Sequence, residues 1–334
     1  MMTGRELILA TKPFAQEDRA KSWFYLISTL LMLAVALAGS YYIPYLAGRI
    51  VCSLLAGLLM VRMFIIYHDF QHHAILHRSV LADVIMSLYG LYVLVPASIW
   101  KRSHDYHHAH NCKLASASIG SYPIATKNIY LNMKPSERRL YLFIRHPLTV
   151  LMGYFTMFIY GMCISSLISS PRKHYDSLIA LVGHAALTYF VIHKFGWQVW
   201  LLSVLIPIFI ASAMGAYLFY AQHNFPGTTF SKKEEWKYEA AALESSSYMV
   251  MNPFMQFMTG NIGLHHIHHL NARIPFYRLP EAMAALPELQ QAKTTSLKPK
   301  DIIACFRLKV WDPERERMIG FRELKKEHYQ LAAN

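Results

Sequence analysis

The chain has 334 residues, of which 54% are hydrophobic and only 16% charged, with a mean hydropathy of +0.23. It is too apolar for an ordinary soluble domain of this length and falls in the membrane class. The net charge of +13 accompanies long apolar runs, so it suits anionic lipid headgroups and argues against nucleic acid. The four cysteines show no CxxC spacing, which excludes a zinc knuckle or a disulfide framework.

Residues 1–22 are polar and read as a cytoplasmic N-terminal segment, with no signal-peptide cleavage pattern before the first apolar run. Runs over about 23–44 and 46–66 are each long enough to span a hydrocarbon core of about 30 Å, and they read as a helical hairpin. Arg62 sits near the end of the second run, where it can snorkel to the interface or face a site. A first cluster follows at once, with His68, Asp69, His72 and His73. After the apolar stretch 81–99 comes a second, with His104, Asp105, His107 and His108; positions i, i+3 and i+4 share one helix face. A single crossing between His68 and His104 would put them on opposite sides of the bilayer. The stretch 81–99 is therefore expected to be re-entrant or interfacial, with Pro96 near its end.

Three apolar runs follow, at about 148–168, 176–193 and 197–220, and only two can cross if His108 and His265 are to share a side. The last two are joined by the short loop 194–196 and form the hairpin, which leaves 148–168 in the membrane plane. This arrangement keeps Arg62, Arg78, Lys101, Arg102, Arg138, Arg139, Arg145, Arg172 and Lys173 on one side, as the positive-inside rule requires. Phe155, Met157, Phe158 and Tyr160 are expected to face lipid or pack between helices. Beyond the last span lie His223 and Asn224, then a charged stretch from Lys232 to Glu244 expected as a solvated helix. Asn261 precedes a third cluster, in which His265, His268 and His269 repeat the offsets of the second on a helix expected to end at Pro275. The stretch 23–280 forms the membrane domain, and 281–334 reads as a cytoplasmic tail.

A His-x-x-His-His pattern is expected by chance roughly 0.05 times in a chain of this composition, so two copies need a reason. Imidazole suits Fe, Cu, Zn and Ni alike. Eight or more ligands are too many for one ion, so two metals are implied, and the Glu-x-x-His pattern of soluble di-iron bundles is missing. Asp69 and Asp105 directly follow box histidines and could accept a proton from a ligating ring, orienting it; Asn224 and Asn261 are weaker candidates of the same kind.

The three boxes, at 67–74, 100–108 and 265–270 with Pro275-Phe276-Tyr277 after the last, resemble those of the membrane fatty acid desaturase superfamily. They look most like its plant and bacterial Δ12 acyl-lipid desaturases, and the likeness covers roughly residues 20–290. The resemblance implies an all-α membrane protein of four transmembrane helices, with a cytoplasmic helical cap that carries two iron ions. The ligands it implies are His68, His72, His104, His107, His108, His265, His268 and His269. His73 joins them although a continuous helix would turn it about 100° from His72, so it marks either a local break in the helix or a place behind the ligands, and His223 holds the place of an additional ligand after the last span. The implied reaction is O2-dependent insertion of a cis double bond into a membrane-lipid acyl chain, Δ12-type on oleoyl chains. Electrons come from a separate donor of ferredoxin or cytochrome b5 type, and the expected location is the bacterial inner membrane with a cytoplasmic active site. A di-iron hydroxylase or ketolase acting on alkyl, sphingolipid or carotenoid substrates uses nearly the same boxes. A His-rich metal transporter would instead place its site near the bilayer midplane.

Overall fold

The computed structural model describes residues 2, 4–114, 122–324 and 326; the tail beyond residue 326 lies outside the described residues. Among the described residues, four helices are long and apolar enough to cross a membrane: Arg19–Tyr42, Leu46–Gln71, Tyr175–Phe195 and Trp197–Ala221. The first starts where the Asp18 side chain accepts the backbone N–H of Lys21. Its inner face buries Ser22, Thr29 and Ser40 beside Leu26 and Leu33, while Phe24, Ile27, Leu31 and Val35 point outward. Lipid is as apolar as leucine, so small and polar residues serve the helix contacts and bulky ones the solvent. The second and fourth spans pack closely at Gly57, where an added Cβ would lie 2.8 Å from Ile210 Cβ and 3.1 Å from the Pro207 carbonyl. At 1.5 Å per residue the second span is about 39 Å long, so its last turns project beyond a core of about 30 Å.

The stretch 81–99 is two helices, Val80–Tyr92 and Ala97–Ala109, meeting at 91°. Leu94 takes a left-handed φ of 60° in the break and Pro96 caps the second arm. Each arm is about 20 Å long, too short to cross alone. The stretch 148–168 forms two helical pieces, Pro147–Leu151 and Tyr154–Ser169, the second π-helical over Tyr154–Ser165.

The cap adds to the helices two small strand pairs, Tyr248–Val250 parallel to Thr294–Ser296 and Val310–Asp312 antiparallel to Arg317–Ile319. Two expectations change here. The charged stretch from Lys232 is helical only over Tyr238–Glu244, and Ala241 and Ala242 bury one side of that helix. The third-box helix stops at Leu270, before Pro275, because Asn271 turns extended (φ −151°) and its Nδ2 donates to Thr11 Oγ1 at 2.9 Å.

Candidate metal centre

The projecting end of the second span carries His68, and His72 follows as the first residue past the helix, its N–H still bonded to the His68 carbonyl at 3.1 Å. The arm Ala97–Ala109 presents His104, His107 and His108 from its buried face, and His265–Leu270 does the same with His265, His268 and His269. Trp100 stacks on His104, with ring centres 4.6 Å apart and planes 14° from parallel. His223 lies just beyond the fourth span.

These nine side chains converge in two groups, each with one donor atom per residue and all donors within 4.8 Å of one another. One group is His68, His72, His104, His108 and His268; the other is His107, His223, His265 and His269. The two adjoin, since the His108 and His269 rings stack 4.3 Å apart.

The donor set fits metal ions. In the group of five, His104 Nε2 lies 2.8 Å from His68 Nε2 and 3.1 Å from His108 Nε2. In the group of four, His265 Nε2 lies 3.0 Å from His223 Nε2 and 3.1 Å from His269 Nε2. Two imidazole nitrogens held at right angles about 2.0–2.1 Å from one ion stand about 3 Å apart. A neutral imidazole has one N–H to donate, so a nitrogen facing two others satisfies only part of the set without a cation. His72 Nε2 is buried with no hydrogen-bond partner among the described residues, which is costly unless an ion takes it.

Neighbouring groups fix the tautomers. His68 Nδ1 pairs with Asp69 Oδ1 at 3.0 Å, and His223 Nδ1 donates to the Ser245 carbonyl at 3.1 Å, so each ring turns a lone pair on Nε2 toward its group. Burial first, then mutual repulsion, hold His72, His265, His268 and His269 well below their ordinary pKa, and burial brings His223 to about 4. Neutral rings are the ligating form.

The tenth predicted ligand stands apart. His73 adopts φ 56° after the helix has ended, and its exposed ring packs against His77 instead of entering either group. Asp69 faces His68 through Oδ1, and its Oδ2 accepts the Phe276 N–H at 2.6 Å, joining the first box to the loop after the third. Asp105 does not: it points to solvent and pairs with Lys101 Nζ at 2.8 Å, because the helix face opposite the ligands is wet. Asn261 Nδ2 donates to the Phe276 carbonyl at 3.1 Å, and Asn224 touches Arg145 and the Cys305 carbonyl, so neither contacts a ligating ring. Two arginines counted by charge with the basic face are buried. Arg62 donates to Thr29 Oγ1 and the Phe257 carbonyl and lies 4.0 Å from the Phe257 ring centre; Arg145 is wholly enclosed.

A narrow apolar cavity borders both groups and extends into the bundle. His68 of one group and His265 of the other border its upper end, and Val61, Phe158, Gly215 and Ile208 line its depth. About 21 Å of helix axis separates Gln222 at the top from Ile208 at the bottom. Tyr89 Oη donates to the Met60 carbonyl and Gln222 Nε2 to the Ile262 carbonyl, so neither donor is turned into the cavity. Phe158 is therefore a wall of this space, unlike the outward Phe155 and Tyr160. No single stretch of sequence marks the cavity wall, which is assembled from five separate segments.

Residues 44–297 match the model of the family described as fatty acid desaturase. A fatty acid desaturase of Bacillus subtilis is 31% identical, aligned over 96% of this chain and 92% of its own length. An sn-1 acyl-lipid omega-3 desaturase (ferredoxin) of Nostoc is 24% identical over 81% of this chain and 76% of its own. An sn-1 oleoyl-lipid 12-desaturase of Synechocystis is 22% identical over 82% and 78%.

Proposed function

The chain belongs to the fatty acid desaturase family, whose members are oxidoreductases acting on acyl lipids in membranes, and from that premise we propose that it inserts a cis double bond into oleoyl chains of a membrane lipid at the Δ12 position. The observation that carries this reading is the apolar cavity closed on one side by a ligand from each histidine group. Relatives named as oleoyl-lipid 12-desaturases support the position of the bond.

Iron in the two groups would supply the O2-dependent removal of hydrogen, fed by two external electrons. The chain's own residues do the rest. Val61, Phe158 and Ile208 exclude water and hold an alkyl chain that offers no polar handle, so the bond oxidised is the one laid beside His68 and His265. The ferredoxin named for the Nostoc relative supports a separate ferredoxin as donor, with a cytochrome b5 type as the other candidate. The two short arms at 80–109 and the segment 147–169 are read as re-entrant or in-plane elements. All nine ligands then lie on one face of four spans, placed at the cytoplasmic side of a bacterial inner membrane, in keeping with Lys101, Arg102, Arg172 and Lys173 nearby in sequence.

The test is gas chromatography–mass spectrometry of fatty acid methyl esters from an oleate-containing host expressing the chain, with His107→Ala alongside. A Δ12 diene that vanishes in the variant is expected; a diene elsewhere corrects the position, and a hydroxylated chain replaces the reading with the hydroxylase. Gly215 faces Phe158 Cζ, 3.6 Å from where a Cβ would sit. Gly215→Leu fills the middle of the cavity and should abolish the product while both irons remain; retained product would sink the assignment of the cavity.

A further inference from the structure

Seven of the nine converging histidines lie within helices, and His72 still holds helical dihedrals one residue past one. His223 sits farther out in a turn, two residues beyond the end of the fourth span at Ala221. A ligand must be held to within a fraction of an ångström, and a turn does not do that by itself. The neighbouring residue supplies the hold. Asn224 is 2% exposed; its Oδ1 accepts Arg145 Nη2 at 2.6 Å and its Nδ2 donates to the Cys305 carbonyl at 2.8 Å. Arg145 is 0% exposed, donates from Nη1 to the Pro123 carbonyl at 3.1 Å, and lies 5.1 Å from the Tyr220 ring centre, one turn before His223. Among the described residues no carboxylate pairs with it, and its Nε has no partner. Burying a guanidinium on neutral acceptors alone is expensive, and here the cation sits one side chain away from a metal-group histidine.

We propose that Arg145 is the positioning residue of the four-histidine group: through Asn224 it fixes the turn that aims His223 Nε2 at His265 Nε2. The inference rests on the two-metal reading, and the experiment separates the failure of each. The full chain, purified in detergent from an iron-replete host, is titrated with a ferrous chelator while iron per chain is read by mass spectrometry, for wild type, Arg145→Gln, Asn224→Ala and the buried-core control Leu26→Ala. In Arg145→Gln and Asn224→Ala one of the two irons should leave at about 10–100-fold lower chelator, the usual loss when a partner behind a ligand is removed. The other iron and the control should titrate as wild type. Two irons unchanged in both variants overturns the proposal, as does loss of both irons together, which marks a general structural role. If Arg145→Gln does not fold, Asn224→Ala decides alone on the same two outcomes. Wild type without iron overturns the two-metal reading and the proposal with it.

Discussion

The two histidine groups differ in how they are held. The group of five takes all its histidines from helices or the first residue past one, and a buried carboxylate, Asp69, backs one of its rings. The group of four takes three from helices and one from a turn, backed by a neutral carbonyl, Ser245. A carboxylate raises the basicity of a ligating ring more than a carbonyl does, and a helix returns a side chain to the same place without outside help. The two groups share the arms that carry the second and third boxes, yet one is built largely by local structure and the other depends on tertiary contacts.

The hardest test of that contrast removes a ligand from each side. His72→Ala and His107→Ala should each abolish the acyl product and leave one iron, bound in the untouched group; iron analysis beside product analysis checks this, and two irons in either variant would break the division. Next in size is Asp69→Asn, which keeps the shape but removes the charge behind His68. Chelator titration should show about 10–100-fold weaker iron binding in the group of five only, and equal weakening of both irons would mean the groups act as one site. His73→Ala tests the same turn that carries His72. Its iron content should match wild type and its product yield should stay within about twofold, as for an exposed surface change; a lost iron would return His73 to the ligand set. The smallest effect belongs to Asp105→Ala, which breaks an exposed i, i+4 pair with Lys101 worth about 0.3–0.5 kcal/mol, with thermal unfolding and iron content both near wild type.

The parts of the centre readable from sequence are those that local periodicity sets. Offsets of three and four put His104, His107 and His108, and again His265, His268 and His269, on one helix face whatever surrounds them. His223 has no such pattern and was found only by its place after the last span. His73 follows a helix end between residues 71 and 72 that no glycine or proline announces, and with its left-handed backbone it joins neither group. Arg145 was counted with the basic face by its charge alone, since a sequence records that a residue is basic and not that carbonyls and aromatic rings enclose it. The apolar cavity is a property of the space between helices, so no one segment bears its signature.

The close approach of the second and fourth spans at Gly57 bears on how this chain tolerates change. In most helices an interior glycine weakens the coil-to-helix balance, and alanine in its place gains about 1 kcal/mol. Here the new methyl group would lie 2.8 Å from Ile210 Cβ, so the substitution that favours the helix in isolation would wedge it away from its neighbour. Directed improvement of thermal tolerance by raising helix propensity would thus act against the bundle at this position, and gains should be sought on the lipid-facing side of the first span instead.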